Sequence, residues 1–436
     1  MERGLISVDR WSGGSQAYFL THLHADHTQG LSSAWSRGPL FCSHLTSKLL
    51  PFKFPNFNLS LLRVLEVGSW HSLSLTSPSS GTKTAVQVML IDAHHCPGSV
   101  MFLFRGEFGC LLYTGDFRWE ASIEKAYTSK IILLNAIKGS KLEVLYLDNT
   151  YCHPSYAFPS RVDAAKQVVD IIISHPEHDI IIAIDNLGKE ELLLYISRML
   201  KIKIWVWPER LQTLHLLGYE DIFTTKTSFT RVRAVPRYSF TVDTLEGLNK
   251  VRPTIGIMPS GLPGILGHFG MNENLCTSLA DSRSNGFKSS EIFTITSNGQ
   301  KWNVRSVEKL HQYIYSVPYS DHASFSEIQE FVELVRPINM RGIVSSSSCY
   351  INPLYYFGHF RGVNQPSQKS WQKHKGVESM SAIQTESLCQ ISHCPNLARK
   401  RRRSEKIRIL GHRFSRVSAL RRVRQGVKIV ENDCVD

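Results

Sequence analysis

Thr21-His22-Leu23-His24-Ala25-Asp26-His27 sets three imidazoles and a carboxylate within six residues, directly behind the apolar run Ala17-Tyr18-Phe19-Leu20. The run reads as a short strand. His22 and His24 are two apart, so on an extended chain they point to the same side. Asp26 and His27 follow where the chain must turn, and they can aim at a neighbouring point. Imidazole and carboxylate are suitable donors for Zn²⁺ or a similar borderline cation. The bland alternative is a polar loop that happens to be His-rich. The full H-x-H-x-D-H order behind a strand argues against it.

Working outward, other strand-like runs also end on metal-binding or acid–base residue types. Ile6-Ser7-Val8 ends at Asp9, and residues 86–92 run into Ala93-His94-His95-Cys96-Pro97-Gly98-Ser99. Residues 100–104 and 110–113 read as two strands joined through Gly106-Glu107-Phe108-Gly109, the second leading to Thr114-Gly115-Asp116-Phe117-Arg118. A strand over 142–147 ends at Asp148-Asn149-Thr150. Gly30-Leu31-Ser32-Ser33-Ala34-Trp35 reads as the start or extension of a helix. Four strand ends therefore deliver Asp9, His95, Asp116 and Asp148 to the rim where the His22 loop sits, the usual arrangement of a scaffolded active site.

From about residue 151 the texture changes to alternating helix and strand, as in a mostly parallel sheet. Helices are expected over 160–174, with Ser160 as N-cap, and over 188–200 and 211–217. Strands are expected over 179–184, 202–206 and 254–258. Residues 262–300 are rich in Gly, Ser and Asn and read as an insertion or mobile loop. Asn298-Gly299 can turn a hairpin between 292–295 and 302–304. A strand over 313–317 leads into Pro318-Tyr319-Ser320-Asp321-His322-Ala323-Ser324, then a helix over 325–335 and a last strand near 342–344. Past Ser345 periodicity fades, and 351–436 reads as a basic, disordered tail.

The chain's 436 residues are enough for two or three domains, and 42% apolar content supports a sizeable core. Nine cysteines without a C-x-x-C pair, and no apolar signal region after Met1, fit reduced thiols in an intracellular compartment. No apolar run is long enough to span a bilayer. Thirteen Lys/Arg and a single acidic residue, Glu405, lie between Arg399 and Lys428, so nearly all of the net +13 charge belongs to the tail.

The order of these motifs resembles the metallo-β-lactamase fold, an αββα sandwich of α/β class with a metal centre at one edge. The α/β segment after Asp148 is similar to the β-CASP insertion of nucleases in that superfamily. The strings Asp92-Ala93-His94-His95-Cys96-Pro97-Gly98-Ser99, Tyr113-Thr114-Gly115-Asp116-Phe117-Arg118, Tyr146-Leu147-Asp148-Asn149-Thr150, Leu187-Gly188-Lys189-Glu190 and Pro318-Tyr319-Ser320-Asp321-His322 resemble the Artemis/Apollo branch of DNA-repair nucleases, and its Apollo members most. The domains implied are 1–150, the first part of the metallo-β-lactamase domain; 151–310, β-CASP; 311–350, the return; and 351–436, the tail.

By that resemblance His22, His24, His95 and Asp116 would hold one Zn²⁺ firmly. Asp26, His27 and the shared Asp116 would face a second, weaker divalent position. Asp9 would orient the ligand loop. Asp148 would hold His322 so that its imidazole can protonate a leaving oxygen, and Asp26 would join them in catalysis. His94 stands where such sequences have a small polar residue, and it is not a ligand candidate. Val344 occupies a position where RNA-directed relatives carry a metal-binding His, which favours DNA. Lys189 and Ser260 are candidates for a terminal phosphate. Arg399-Lys400-Arg401-Arg402-Arg403 reads as a nuclear import signal or a phosphate grip.

The expectation is a zinc-dependent 5′–3′ DNA exonuclease, nuclear, acting on 5′-phosphorylated ends in repair, cross-link or chromosome-end processing, with nuclear repair or end-protection partners and no membrane. The alternatives are a β-CASP endoribonuclease and a catalytically silent scaffold that binds DNA ends.

Overall fold

Strand Gly4–Val8 pairs in parallel with Ser15–Phe19, so that Val8 and Phe19 finish side by side and release Asp9 and Leu20 at one edge. In this computed structural model the described residues are 4–78, 80–120, 124–261, 292–295, 301–304, 306–345, 351–362, 423–424 and 426–429. Leu40–Ser43 and Leu62–Leu65 extend the first sheet in parallel, and Val427–Ile429 adds antiparallel to its other side.

The second sheet runs in the order Asn339–Gly342, Val144–Leu147, Gly109–Tyr113, Val100–Gly106, Lys83–Asp92, Trp70–Thr76. Its first three strands are parallel and the rest antiparallel. Along Lys83–Asp92 exposed and buried positions alternate as far as Val88, after which both faces are covered. The two sheets face each other across Ile6, Phe19, Phe41, Val88, Phe102 and Phe104. Phe19 stacks on Phe41 at 4.9 Å and meets Phe102 and Phe104 edge-on at 5.2 and 5.0 Å. Each such ring pair adds about 0.5–1.5 kcal/mol beyond the area it buries.

Helix His44–Lys53 covers the outer face of the first sheet with Leu49 and Leu50. Helices Glu124–Ile137, Phe325–Val335 and Pro353–Phe357 cover the outer face of the second through Leu133, Phe331, Val332 and Phe357. The result is the expected αββα sandwich. Helix Phe325–Val335 falls on the bounds its sequence suggests, because Ser324 and Glu327 cap each other's backbone in a capping box.

A third sheet holds Phe223–Thr224, Ile204–Trp205, Val232–Pro236, Asp179–Ile184, Thr254–Pro259, Ile314–Val317 and Glu308–His311, in that order. All but the last are parallel. Every residue of Asp179–Ile184 is buried, as befits a parallel strand covered on both faces. Helices Arg161–Ser174 and Glu190–Leu200 supply one cover and Val242–Asn249 the other. Ser160 caps its helix as expected, accepting from the Asp163 amide. Strands Ile292–Ile295 and Lys301–Val304 pair antiparallel; the rest of 262–300 lies outside the described residues.

The structure departs from expectation at four places. Residues 30–35 form turns rather than a helix: Leu31 and Trp35 are buried separately, and Trp35 meets Trp11 and Tyr18 edge-on at 5.5 and 4.7 Å. Ile314–Val317 lies inside the third sheet, so the return to the sandwich starts after Val317 and not at 311. The stretch 351–436 is not wholly an unstructured tail, since Pro353–Phe357 packs on the second sheet and Val427–Ile429 pairs with Ile6–Val8. Finally, the helix expected from Gly188 begins at Glu190, with Lys189 left-handed at φ 65° as its cap.

Candidate active site

Three strand ends and two loops meet at the edge of the sandwich facing the third sheet. Gly115 is at φ 54°, and a Cβ there would lie 2.9 Å from the Thr21 side chain. Only glycine lets the Asp116 turn press this closely on the residue before His22. His22 and Asp116 are thus brought together by the packing of Gly115 on the Thr21 side chain, and both are buried.

The imidazole tautomers follow from their outer partners. His24 Nε2 lies 3.0 Å from the Leu187 carbonyl, and His95 Nδ1 2.9 Å from the Asp321 carbonyl. A carbonyl only accepts, so both ring nitrogens must donate. Thr21 Oγ1 donates to Asp9 Oδ2 at 2.7 Å and so accepts from His22 Nδ1 at 3.0 Å. The remaining ring nitrogens, His22 Nε2, His24 Nδ1 and His95 Nε2, then carry lone pairs. They face one another, His24 Nδ1 at 3.0 Å from each of the other two. Three acceptors so placed call for a cation among them. Burial, and then the neighbouring imidazoles, lower the His22 pKa well below its ordinary value; burial and His322 bring His95 to about 3. Both rings therefore stay neutral, the form that ligates metal. Asp116 Oδ2 supplies a carboxylate 3.6 Å from His95 Nε2 and 3.9 Å from His22 Nε2. This donor set fits a divalent ion of the zinc type.

His27 faces the other Asp116 oxygen, Nε2 to Oδ1 at 3.2 Å, and gives its Nδ1 proton to Asp9 Oδ2 at 2.7 Å. Burial opposes a charge on this ring, but Asp116 and Asp9 outweigh it and raise its pKa to about 10. Their field favours a cation at Nε2, whether proton or metal. Asp9 is itself buried at φ 50° and also accepts the Thr21 amide at 2.9 Å. Asp26 stands farther out, half-buried on the cavity wall, its carboxylate 3.9 Å from His27 Nε2.

Asp148 and His322 are adjacent, Oδ2 to Nδ1 at 2.8 Å, with His322 Nε2 3.9 Å from Asp116 Oδ2. Asp148 is fixed in turn by the Thr150 amide at 3.0 Å and hydroxyl at 2.5 Å. His95, Asp116 and His322 lie close enough to hold an ion together, and Cys96 lies near His22, His24 and His95. Burial pushes the Cys96 thiol well above its usual pKa. His94, at φ 53°, turns away and meets Ser129 Oγ at 2.9 Å.

Sequence reasoning missed several supporting residues. Thr21 ties Asp9 to His22. Arg118, fully buried, donates to the Ser320 carbonyl at 2.7 Å and pairs with Glu327 at 2.9 Å, holding the loop before His322. Both lie inside quoted motifs, but their partners are distant in sequence. Lys189 is buried and its ammonium is already paired with Asp321, so it is no bare cation waiting for phosphate. Ser260 is buried on the same cavity wall. Val344 is buried in the apolar cluster between the sheets, both its backbone groups bonded by the Asn149 side chain. Arg399, Lys400, Arg401, Arg402 and Arg403 lie outside the described residues.

His24, Asp26, His95, Asp116, Lys189, Ser260 and His322 open onto one cavity of about 1000 Å³ between the sandwich and the third sheet, lined also by Phe52, Lys53, Trp207, Arg210, Arg237 and Tyr238. The sequence pattern of the family described as "DNA repair metallo-beta-lactamase" matches residues 220–348. The chain is 38% identical over 349 residues to the 5′ exonuclease Apollo of Gallus gallus, covering 79% of this chain and 63% of that protein. It is 38% identical to Apollo of Mus musculus, over 79% of this chain and 54% of the relative. It is 34% identical to the DNA cross-link repair protein SNM1 of Arabidopsis thaliana, over 74% and 60%. The chain thus spans between about half and two thirds of the length of these relatives.

Proposed function

Since the chain belongs to the DNA-repair metallo-β-lactamase family, in its Artemis/Apollo branch, we propose that it is a metal-dependent nuclease that hydrolyses phosphodiester bonds from 5′ ends of DNA. The observation that carries this reading is the convergence of three imidazole lone pairs and the Asp116 carboxylate beside the Asp148–His322 pair. A silent end-binding scaffold would have no use for that pair. Against a ribonuclease stands Val344, which by the family resemblance takes the place of a metal-binding His of RNA-directed relatives.

His22, His24, His95 and Asp116 would hold Zn²⁺, and His27, Asp116 and Asp26 a second, weaker ion. Zinc so held would supply Lewis acidity toward a phosphoryl oxygen and would bring the pKa of bound water toward about 7. The chain's own residues do the rest. Asp9 keeps His27 in one tautomer and orientation. Asp148 accepts the Nδ1 proton of His322 and stabilises its imidazolium, leaving Nε2 toward the cavity to protonate a leaving oxygen. Lys189, whose charge Asp321 shares, and Ser260 would meet a 5′-phosphate. Repair, cross-link or chromosome-end processing in the nucleus is the setting this chemistry suits, with Arg399–Arg403 serving import or a nonspecific hold on phosphates. Among the described residues no helix is long and apolar enough to cross a membrane.

The test is digestion of end-labelled DNA and RNA oligonucleotides bearing 5′-phosphate or 5′-hydroxyl, with zinc present or chelated. Zinc-dependent release of nucleotides from 5′-phosphorylated DNA is expected. Binding without cleavage would favour the scaffold, and faster cleavage of RNA the ribonuclease.

A further inference from the structure

The far wall of the cavity has a property the hydrolytic centre does not use. Apart from Asp26 and Asp116 at the metal centre, the cavity is lined by three carboxylates, of Asp185, Glu209 and Asp321, against four Lys/Arg side chains. Each of those four cations is already bonded: Lys189 to Asp321, Arg210 to Glu190 at 2.6 Å, Arg237 to Asp185 at 3.5 Å, and Lys53 to the Leu23 carbonyl. Three of the four are thus held in ion pairs, which leaves little charge for a run of phosphates. A strand that passes out of the metal centre across this surface must be held mainly by something other than Coulomb attraction.

Aromatic faces are available for that purpose. Phe52, at the end of helix His44–Lys53, is 53% exposed, and Tyr238, in the turn Arg237–Ser239, is 85% exposed. Trp207 caps helix Pro208–Leu216 and is half-buried. All three line the same cavity, Phe52 from the sandwich and the other two from the third-sheet region. Isolated exposed aromatics are ordinary. Rings brought to one cavity by separate elements, beside the proposed phosphodiester-cleaving centre, are what unpaired bases need, since every base offers a π-face to stack on. A base inside a duplex is already stacked on both faces and cannot offer one to them.

We propose that Phe52 and Tyr238, backed by Trp207, form a stacking clamp for the unpaired bases next to the 5′ end, so that the enzyme engages a DNA end as a frayed single strand. This rests on the nuclease reading above. The cavity volume of about 1000 Å³ suits a few linked nucleotides and not a length of duplex.

The experiment uses the full chain with zinc, its Phe52→Ala and Tyr238→Ala variants, and Tyr238→Phe as the conservative control. Two readouts are compared. One is the fluorescence of 2-aminopurine placed near the 5′ end of a nuclease-resistant phosphorothioate single strand, which stacking quenches. The other is KM for a plain single-stranded oligonucleotide relative to that for thymidine 5′-monophosphate p-nitrophenyl ester, which has no flanking bases. Each alanine variant should lose the quenching and raise the oligonucleotide KM relative to the ester by about fivefold to tenfold, while Tyr238→Phe retains both. Wild-type quenching and KM ratio in both alanine variants would overturn the clamp, as would equal wild-type quenching for a cross-linked duplex end that cannot fray. If the wild type hydrolyses neither substrate, the nuclease reading fails, and the quenching comparison still decides the clamp.

Discussion

Replacing Asp9 tests whether the second donor position is organised from behind the ligands. The carboxylate accepts the Thr21 amide at 2.9 Å, the Thr21 hydroxyl at 2.7 Å and the His27 ring at 2.7 Å, all in a buried setting. In Asp9→Ala the Thr21 amide and His27 Nδ1 lose their acceptor. A stranded buried donor costs about 1–3 kcal/mol, and alanine at φ 50° adds about 1–3 kcal/mol of backbone strain. Two stranded donors and the strain sum to roughly 3–9 kcal/mol, a fall in thermal midpoint on the order of 10 °C. Asp9→Asn separates charge from shape, because asparagine tolerates the left-handed backbone and keeps one accepting oxygen. Its stability should fall by only about 1–2 kcal/mol, yet the metal at His27 should bind about 10–100-fold more weakly. Thermal unfolding and a competitive chelator titration of each protein measure the two effects. If both variants keep wild-type midpoint and metal affinity, Asp9 is an ordinary turn residue and the account of His27 is wrong.

His322→Ala should lower turnover about 100-fold or more while zinc content, measured by atomic absorption, stays near wild type; a parallel loss of zinc would make His322 a ligand, a role its 3.9 Å approach to Asp116 permits. Lys189→Ala strands the partly buried Asp321 carboxylate, so the protein should lose about 3 kcal/mol in denaturant unfolding, and Lys189→Ala with Asp321→Asn should recover most of it. In that double variant the preference for 5′-phosphate over 5′-hydroxyl ends should shrink; an unchanged preference removes Lys189 from the phosphate site. Val427→Pro deletes an edge-strand amide opposite Val8 and should lower the thermal midpoint by several degrees. A wild-type midpoint would show that the C-terminal strand contributes nothing to the sandwich.

What was legible in the sequence was legible for local reasons. Apolar runs that stop at Asp9, His95, Asp116 and Asp148 announce strand ends, and four such ends suffice to suggest one rim. Helix Phe325–Val335 carries its own start signal in Ser324 and Glu327. The misreadings arose where distant partners overrule local pattern. Leu31 and Trp35 have helical spacing but are drawn one by one into the Trp11–Tyr18 cluster. Val427–Ile429 is too short to signal a strand and exists by pairing with residues 6–8. The Lys189–Asp321 and Arg118–Glu327 pairs join positions 132 and 209 residues apart, which no periodicity reveals.

Everything at the site turns on the proposal that the imidazoles of His22, His24 and His95 and the Asp116 carboxylate hold the metal that nuclease activity needs. It is tested most directly by measuring zinc content and 5′-phosphorylated DNA digestion on the same preparations of wild type and Asp116→Ala, before and after chelation and zinc add-back. Wild type should contain zinc, lose activity on chelation and regain it with zinc. Asp116→Ala should bind less zinc, stay folded by circular dichroism and remain inactive when zinc is returned. Digestion near the wild-type rate by Asp116→Ala, or by chelated wild type, would contradict the claim.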